Sequence, residues 1–173
     1  MSTNVEIKAR AREPGKVRAR AEESTDKPCE TAFQEDTFFQ TARGRLKLRV
    51  AQPGGSALIF YERRDELGPK QSDYLVCPIA DPDSLKALLG ACLGIRGVVR
   101  KERRLYMIGN TRVHLDDVEG LGQFLELEVM LRGNEDVSDG IAVAHSLMAK
   151  LGIEVSDLVE GAYIDLLESG GAR

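Results

Sequence analysis

The chain of 173 residues contains no tryptophan, and aromatic residues make up only 5% of it. This argues against a platform on which nucleic-acid bases stack. Cysteine is scarce too. Cys29, Cys77 and Cys92 are far apart and form no CxxC pair, a poor framework for disulfides or zinc, so each is expected to be a small buried or neutral residue. Positive charge is not in excess: the formal net charge is −4, so nothing draws the whole molecule to nucleic acid and any basic site must be local. No stretch approaches the roughly 20 apolar residues of a membrane helix. The N-terminus lacks the basic-then-apolar build of a secretory signal. The expectation is a cytoplasmic protein with neither a membrane nor a nucleic acid as partner.

What is present suits one folded domain spanning residues 1–173. Apolar residues make up 42% and charged residues 30%, and the length allows a proper core. There is no linker, low-complexity run or internal repeat. Strand patterns fall at "NVEIKAR", "TAFQEDTFF", "RGRLKLRV", "SALIFYERR", "SDYLVCPIA", "GVVRKERRLYMI", "TRVHLDDV" and "GLGQFLELEVML". Ala42-Arg43-Gly44 and Gly109-Asn110 read as hairpin turns. Helices are expected at "GKVRARAEE", "DPDSLKALLGACLG", "VSDGIAVAHSLMAKLG" and "VSDLVEGAYIDLLE". In the second, Asp81 suits the N-cap, Pro82 the first turn, and Leu85, Leu88, Leu89 and Leu93 recur at helical spacing. The tail "SGGAR" is expected to be loose. The fold class is α+β. Strands in series through short turns favour an antiparallel sheet, and about eight of them can close into a barrel with room for a small ligand.

Several strands carry one apolar face and one ionic face. Val5, Ile7 and Ala9 alternate with Glu6, Lys8 and Arg10; Leu46, Leu48 and Val50 with Arg45, Lys47 and Arg49; Leu125, Leu127 and Val129 with Glu126 and Glu128. Lys101 and Arg103 share a face, as do Arg112, His114 and Asp116. An antiparallel sheet with one wet face would explain the alternation. Two features favour another reading. The charges are segregated by sign, whereas a solvated face intersperses them. The helices also need apolar surface to cover, and the apolar strand faces supply it. The ionic faces would then line a hydrated tunnel.

Such a tunnel suits a triphosphate, held by Lys8, Lys47, Arg49, Arg63, Lys101 and Arg103. Carboxylates among those bases make sense if they hold a hard divalent cation, Mg²⁺ or Mn²⁺, that bridges to the phosphates; the candidates are Glu6, Asp116, Glu126 and Glu128. Six bases against four acids leave roughly two positive charges for the ligand to meet. Lys8, amid both sets, is the candidate catalytic residue. His114 is expected to be a hydrogen-bonding wall residue and His145 a helix-face residue. Arg100, Glu102 and Arg104 should be solvated. The glycines of "EGLGQ" follow no strand-to-helix pattern and read as a turn, not a phosphate loop.

At these residues the sequence resembles the CYTH family, also called triphosphate tunnel metalloenzymes. That family opens with an ExExK strand, which "NVEIK" matches at Glu6 and Lys8; "KLR", "KER", "HLDDV" and "FLELE" follow in family order, covering nearly the whole chain. The resemblance implies an eight-stranded antiparallel tunnel, a triphosphate substrate and a divalent metal. Its look is nearest to the class IV adenylyl cyclase-like proteins, which turn ATP into cyclic AMP and pyrophosphate. Hydrolysis of thiamine triphosphate, a nucleoside triphosphate or inorganic tripolyphosphate fits the same pocket. So does a module that binds a polyphosphate without turning it over. A homodimer is compatible with any of these. One position departs from the pattern: Asn4 stands where the family has its first Glu, which puts a second metal and full activity in question.

Overall fold

In the computed structural model, which describes residues 2–131 and 135–170, the alternating stretches become eight strands. These are β1 (Ser2–Arg10), β2 (Glu30–Phe39), β3 (Arg45–Gln52), β4 (Ser56–Arg63), β5 (Lys70–Ile79), β6 (Ile95–Ile108), β7 (Thr111–Val118) and β8 (Gly122–Met130). All neighbours are antiparallel and the sheet closes in the order β1-β5-β4-β3-β2-β6-β7-β8. The turns are those expected. Gly44 has φ +63, and a Cβ there would lie 2.7 Å from the Phe60 ring, so the turn that leads into β3 favours a glycine.

The barrel is apolar outside and ionic inside. Val5, Ile7, Ala9, Val113, Leu125, Leu127 and Val129 point outward and are buried by helices α1 (Pro14–Ser24) and α3 (Val137–Leu151), through Val17, Ala21, Ala144, Leu147, Met148 and Leu151. Each of these large apolar side chains contributes about 1.5–3 kcal/mol by leaving water. Helix α2 (Pro82–Leu93) starts as expected: the Asp81 carboxylate accepts from the Ser84 N–H at 3.1 Å. Its apolar stripe, however, is not fully covered, with Leu88 60% and Leu93 41% exposed.

Two expectations need correction. The stretch "VSDLVEGAYIDLLE" is not one helix. A 3-10 turn (Val155–Asp157) is followed by extended chain, in which Leu158 bridges to Ala9 and the Val159 N–H donates to the Lys8 carbonyl; α4 is only Tyr163–Glu168. Gly161, at φ +75, breaks the helical path, and Ala162, Tyr163 and Ile164 pack with Phe38, Val99 and Phe124 at one end of the barrel. The three cysteines are free, as expected, but exposed and not buried. Of the tail expected to be loose, residues 171–173 lie outside the described residues. Among the described residues, no helix is long and apolar enough to cross a membrane.

Candidate active site

The inner faces of the strands surround a cavity of about 170 Å³. Alternation along each strand delivers its lining: Asn4, Glu6 and Lys8 from β1, Lys47 and Arg49 from β3, Arg63 from β4, Lys101 and Arg103 from β6, Glu126 and Glu128 from β8. Every nominated residue except Asp116 therefore meets in one cavity. Asp116 also points inward, but its carboxylate is fully buried behind the wall. It accepts from Arg103 Nε at 2.6 Å and Nη2 at 2.5 Å, and from the Tyr163 hydroxyl at 2.9 Å. Within "RKERR" the alternation is complete: Lys101 and Arg103 are buried, Arg100 and Glu102 exposed, and Arg104, half-buried, pairs with Glu102 at 2.5 Å.

Three residues outside the nominated set shape the site. Asp36 on β2 is buried and is the counter-charge of three bases: Lys47 at 3.0 Å, Arg49 at 2.7 Å and Lys101 at 4.0 Å. Burial alone would raise its pKa, but Arg49 and Lys47 hold it well below the usual carboxylate range. The signal was present in "TAFQEDTFF", where Gln34, Asp36 and Phe38 fall on one strand face. Tyr163 enters from α4, with Lys8 Nζ 3.5 Å above its ring centroid and Lys101 Nζ at 4.9 Å. Only the tertiary position of α4 reveals it. Lys70, buried on β5 opposite Glu6, adds a further cation.

Burial presses every lysine here toward neutrality. Lys8 is lowered by desolvation, against the pull of Glu126, and further by Arg63. Lys47 is lowered to about 7, first by desolvation, then by Arg49 and Lys101, while Asp36 opposes. The carboxylates move the other way. Burial would raise Glu126, but Lys8 and Arg103 hold it well below its usual range; burial would raise Glu128, but His114 and Arg103 pull it down. Glu6 pairs with Arg63. His114, expected to be a hydrogen-bonding wall residue, is buried at 5% exposure, but neither ring nitrogen makes a hydrogen bond, Nε2 lying 3.3 Å from Glu128 outside hydrogen-bond geometry. His145 lies exposed on α3.

The oxygen donors fit a hard divalent cation in kind. Asn4 Oδ1 is buried without a hydrogen-bond partner and lines the cavity two residues from Glu6, which stands opposite Glu128 across β1 and β8. As the side chains stand, no three Asp, Glu, His or Cys residues among those described converge on a point that could hold a metal ion. A cation would have to draw the carboxylates from their present basic partners.

A family model described as the CYTH domain matches residues 2–163. Relatives extend over similar lengths. A Methanocaldococcus jannaschii protein, provisionally named an adenylate cyclase, is 25% identical over 171 residues, covering 94% of this chain and 97% of its own. Adenylate cyclase CyaB of Aeromonas hydrophila is 29% identical over 144 residues, or 78% of this chain and 72% of its own. Among solved structures, a Pyrococcus horikoshii protein superposes with TM-score 0.82 at 24% identity, covering 94% of this chain and 98% of that one. A Hippeastrum protein, provisionally named an adenylyl cyclase and described with a dominant triphosphatase activity, superposes with TM-score 0.66 at 17% identity, covering 98% of this chain and 97% of that one.

Proposed function

The chain belongs to the CYTH domain family, and from that premise we propose that it is a metal-dependent enzyme acting on a triphosphate inside its barrel, in the manner of a class IV adenylyl cyclase. The observation that carries this reading is the convergence of buried bases in one cavity inside the barrel. Lys8, Lys101 and Arg103 are each at most 5% exposed, and Lys47, Arg49 and Arg63 line the same space. Their present counter-charges, Glu6, Asp36, Asp116 and Glu126, are fewer than the six bases, which leaves positive charge for a bound anion to answer. The six bases bind and orient the phosphoryl oxygens and stabilise charge that develops on them. Asp36 and Asp116 aim the bases before ligand arrives. Lys8, between Glu126 and the Tyr163 ring, is the catalytic cation of this set.

Glu6, Glu126, Glu128 and the Asn4 carbonyl oxygen would hold Mg²⁺ or Mn²⁺, with Asp116 in reserve behind Arg103; bound there, the cation neutralises phosphate charge and orients the attacking or leaving oxygen. In cyclisation the ATP 3′-hydroxyl attacks the α-phosphorus and pyrophosphate leaves with the bond electrons. Triphosphatase activity, with water attacking the terminal phosphorus, is the second reading, and the described activity of the Hippeastrum protein favours keeping it. The test is product identification after incubation with ATP, thiamine triphosphate or tripolyphosphate and Mg²⁺ or Mn²⁺. Cyclic AMP and pyrophosphate support the first reading, and orthophosphate the second. Turnover that survives excess chelator contradicts both.

A further inference from the structure

The cavity wall is not ionic all the way round. On β4 and β5 the inward positions are Ile59 and Tyr61, and Tyr74 and Val76. Ile59 stands directly opposite Val76, and Tyr61 opposite Tyr74. Cross-strand partners of this kind are neighbours on one face of the sheet, and all four line the cavity. Tyr61 stands beside the bases, with Lys47 Nζ 5.5 Å and the Arg63 guanidinium 5.8 Å from its ring centroid. Tyr61, Tyr74 and Ile59 are half-buried. Along the inner face of β5 exposure rises from Ser72, 3% exposed, through Tyr74 to Val76, which faces the cavity and is 53% exposed. A strand residue that faces inward yet meets water marks the open mouth of the barrel; the opposite end is stopped by Tyr163, which is 5% exposed.

Simple packing does not account for this surface. Residues that fill a barrel are buried, and these become more exposed toward the mouth. An apolar lip left wet beside an ionic chamber gains free energy only when an apolar group covers it. Inorganic polyphosphate has no such group. Resting on the triphosphate reading above, we propose that the β4–β5 wall is a subsite for the organic part of the substrate. Its phosphates lie among the bases, and a flat heteroaromatic group lies on Tyr74 with its edge against Ile59 and Val76. Tyr74 and Val76 then separate organic triphosphates from inorganic tripolyphosphate.

The test is calorimetric titration with ATP and, separately, tripolyphosphate, in chelator so that neither is turned over. Wild type should bind ATP at least as tightly as tripolyphosphate, despite the lower charge of ATP. Tyr74→Ser should weaken ATP binding by about 5- to 150-fold, the scale of one stacked base, and tripolyphosphate by less than about 2-fold. Val76→Ser should act in the same direction, and serves if Tyr74→Ser fails to fold. Leu75→Ser, on the outer face of the same strand, should change neither. Equal losses for both probes, or no loss of ATP binding in either inner-face variant, overturn the subsite. Tripolyphosphate binding without ATP binding also overturns it but leaves the triphosphate reading standing. If neither probe binds, both fall.

Discussion

Lys47 shows what burying a cation among cations does. Desolvation, with Arg49 and Lys101 nearby, brings its pKa from 10.5 to about 7 against the pull of Asp36. The folded protein therefore binds fewer protons than the unfolded chain between pH 7 and 10.5. This group burdens the fold below pH 7, and the burden lifts as pH rises through that window. A bound triphosphate reverses the pressure by supplying negative charge. Binding at pH 8 should accordingly take up close to one proton, by the same linkage. Calorimetry in buffers of different ionisation enthalpy reads this uptake; it should be nearly absent at about pH 5.5 and missing in Lys47→Met. Arg103 and Arg104 make a second contrast. Arg103→Ala removes the guanidinium that Asp116 and Glu126 share, leaving Asp116 to Lys101 and Tyr163 and Glu126 to Lys8, and should cost about 3–5 kcal/mol in denaturant unfolding, whereas Arg104→Ala should stay within about 0.5 kcal/mol. The inward and outward sets were legible in the sequence because strand side chains alternate along the ionic stretches, the one register shift falling at Phe38/Phe39 between β2 and β6. Asp36 shares a strand face with Gln34 and Phe38, so its orientation was legible too, but the bases it answers were not, because they lie on other strands. Its role appears only once β3 and β6 flank it.

At the scale of the element, strands were easier to read than the last helix. Each strand needs only its own alternation and a turn residue, both local. The segment after Val155 is decided by distant partners: the bridge from Leu158 to Ala9, the Arg63 donor to the Gly161 carbonyl at 2.6 Å, and the Asp165 carboxylate shared by Arg45 at 2.8 Å and Arg96 at 2.6 Å. Helical spacing in "VSDLVEGAYIDLLE" was real but was outweighed by these contacts and by Gly161. The consequence is that Tyr163 belongs to the tunnel. Its ring meets Phe124 edge-on at 5.1 Å, and its hydroxyl donates to Asp116. Tyr163→Phe removes one hydrogen bond from a carboxylate that keeps Arg103, and should cost about 1.5–3 kcal/mol. Tyr163→Ala also leaves a hole at the stopped end, and should cost about 3–5 kcal/mol. Urea unfolding of the two variants separates the contributions of hydroxyl and ring.

The whole molecule inverts the usual arrangement of a small barrel: its apolar faces pack against the helices and its ionic faces line the cavity. Acid stability follows from this. Asp36, Glu126, Glu128 and Asp116, the last lowered to about 2, all titrate below their unfolded values. Their contribution is complete above those unfolded values, near pH 4, and is lost as pH falls through the folded ones. Circular dichroism should show native structure retained at pH 5 and lost progressively below about pH 4. The central claim, that the tunnel is built around a triphosphate, is tested most directly by melting temperature across a tripolyphosphate titration. Wild type and Lys150→Met, altered at an exposed position on α3, should rise together through ligand binding to the native state. Lys8→Met, altered inside the cavity, should rise far less. An equal rise in all three proteins would contradict the account.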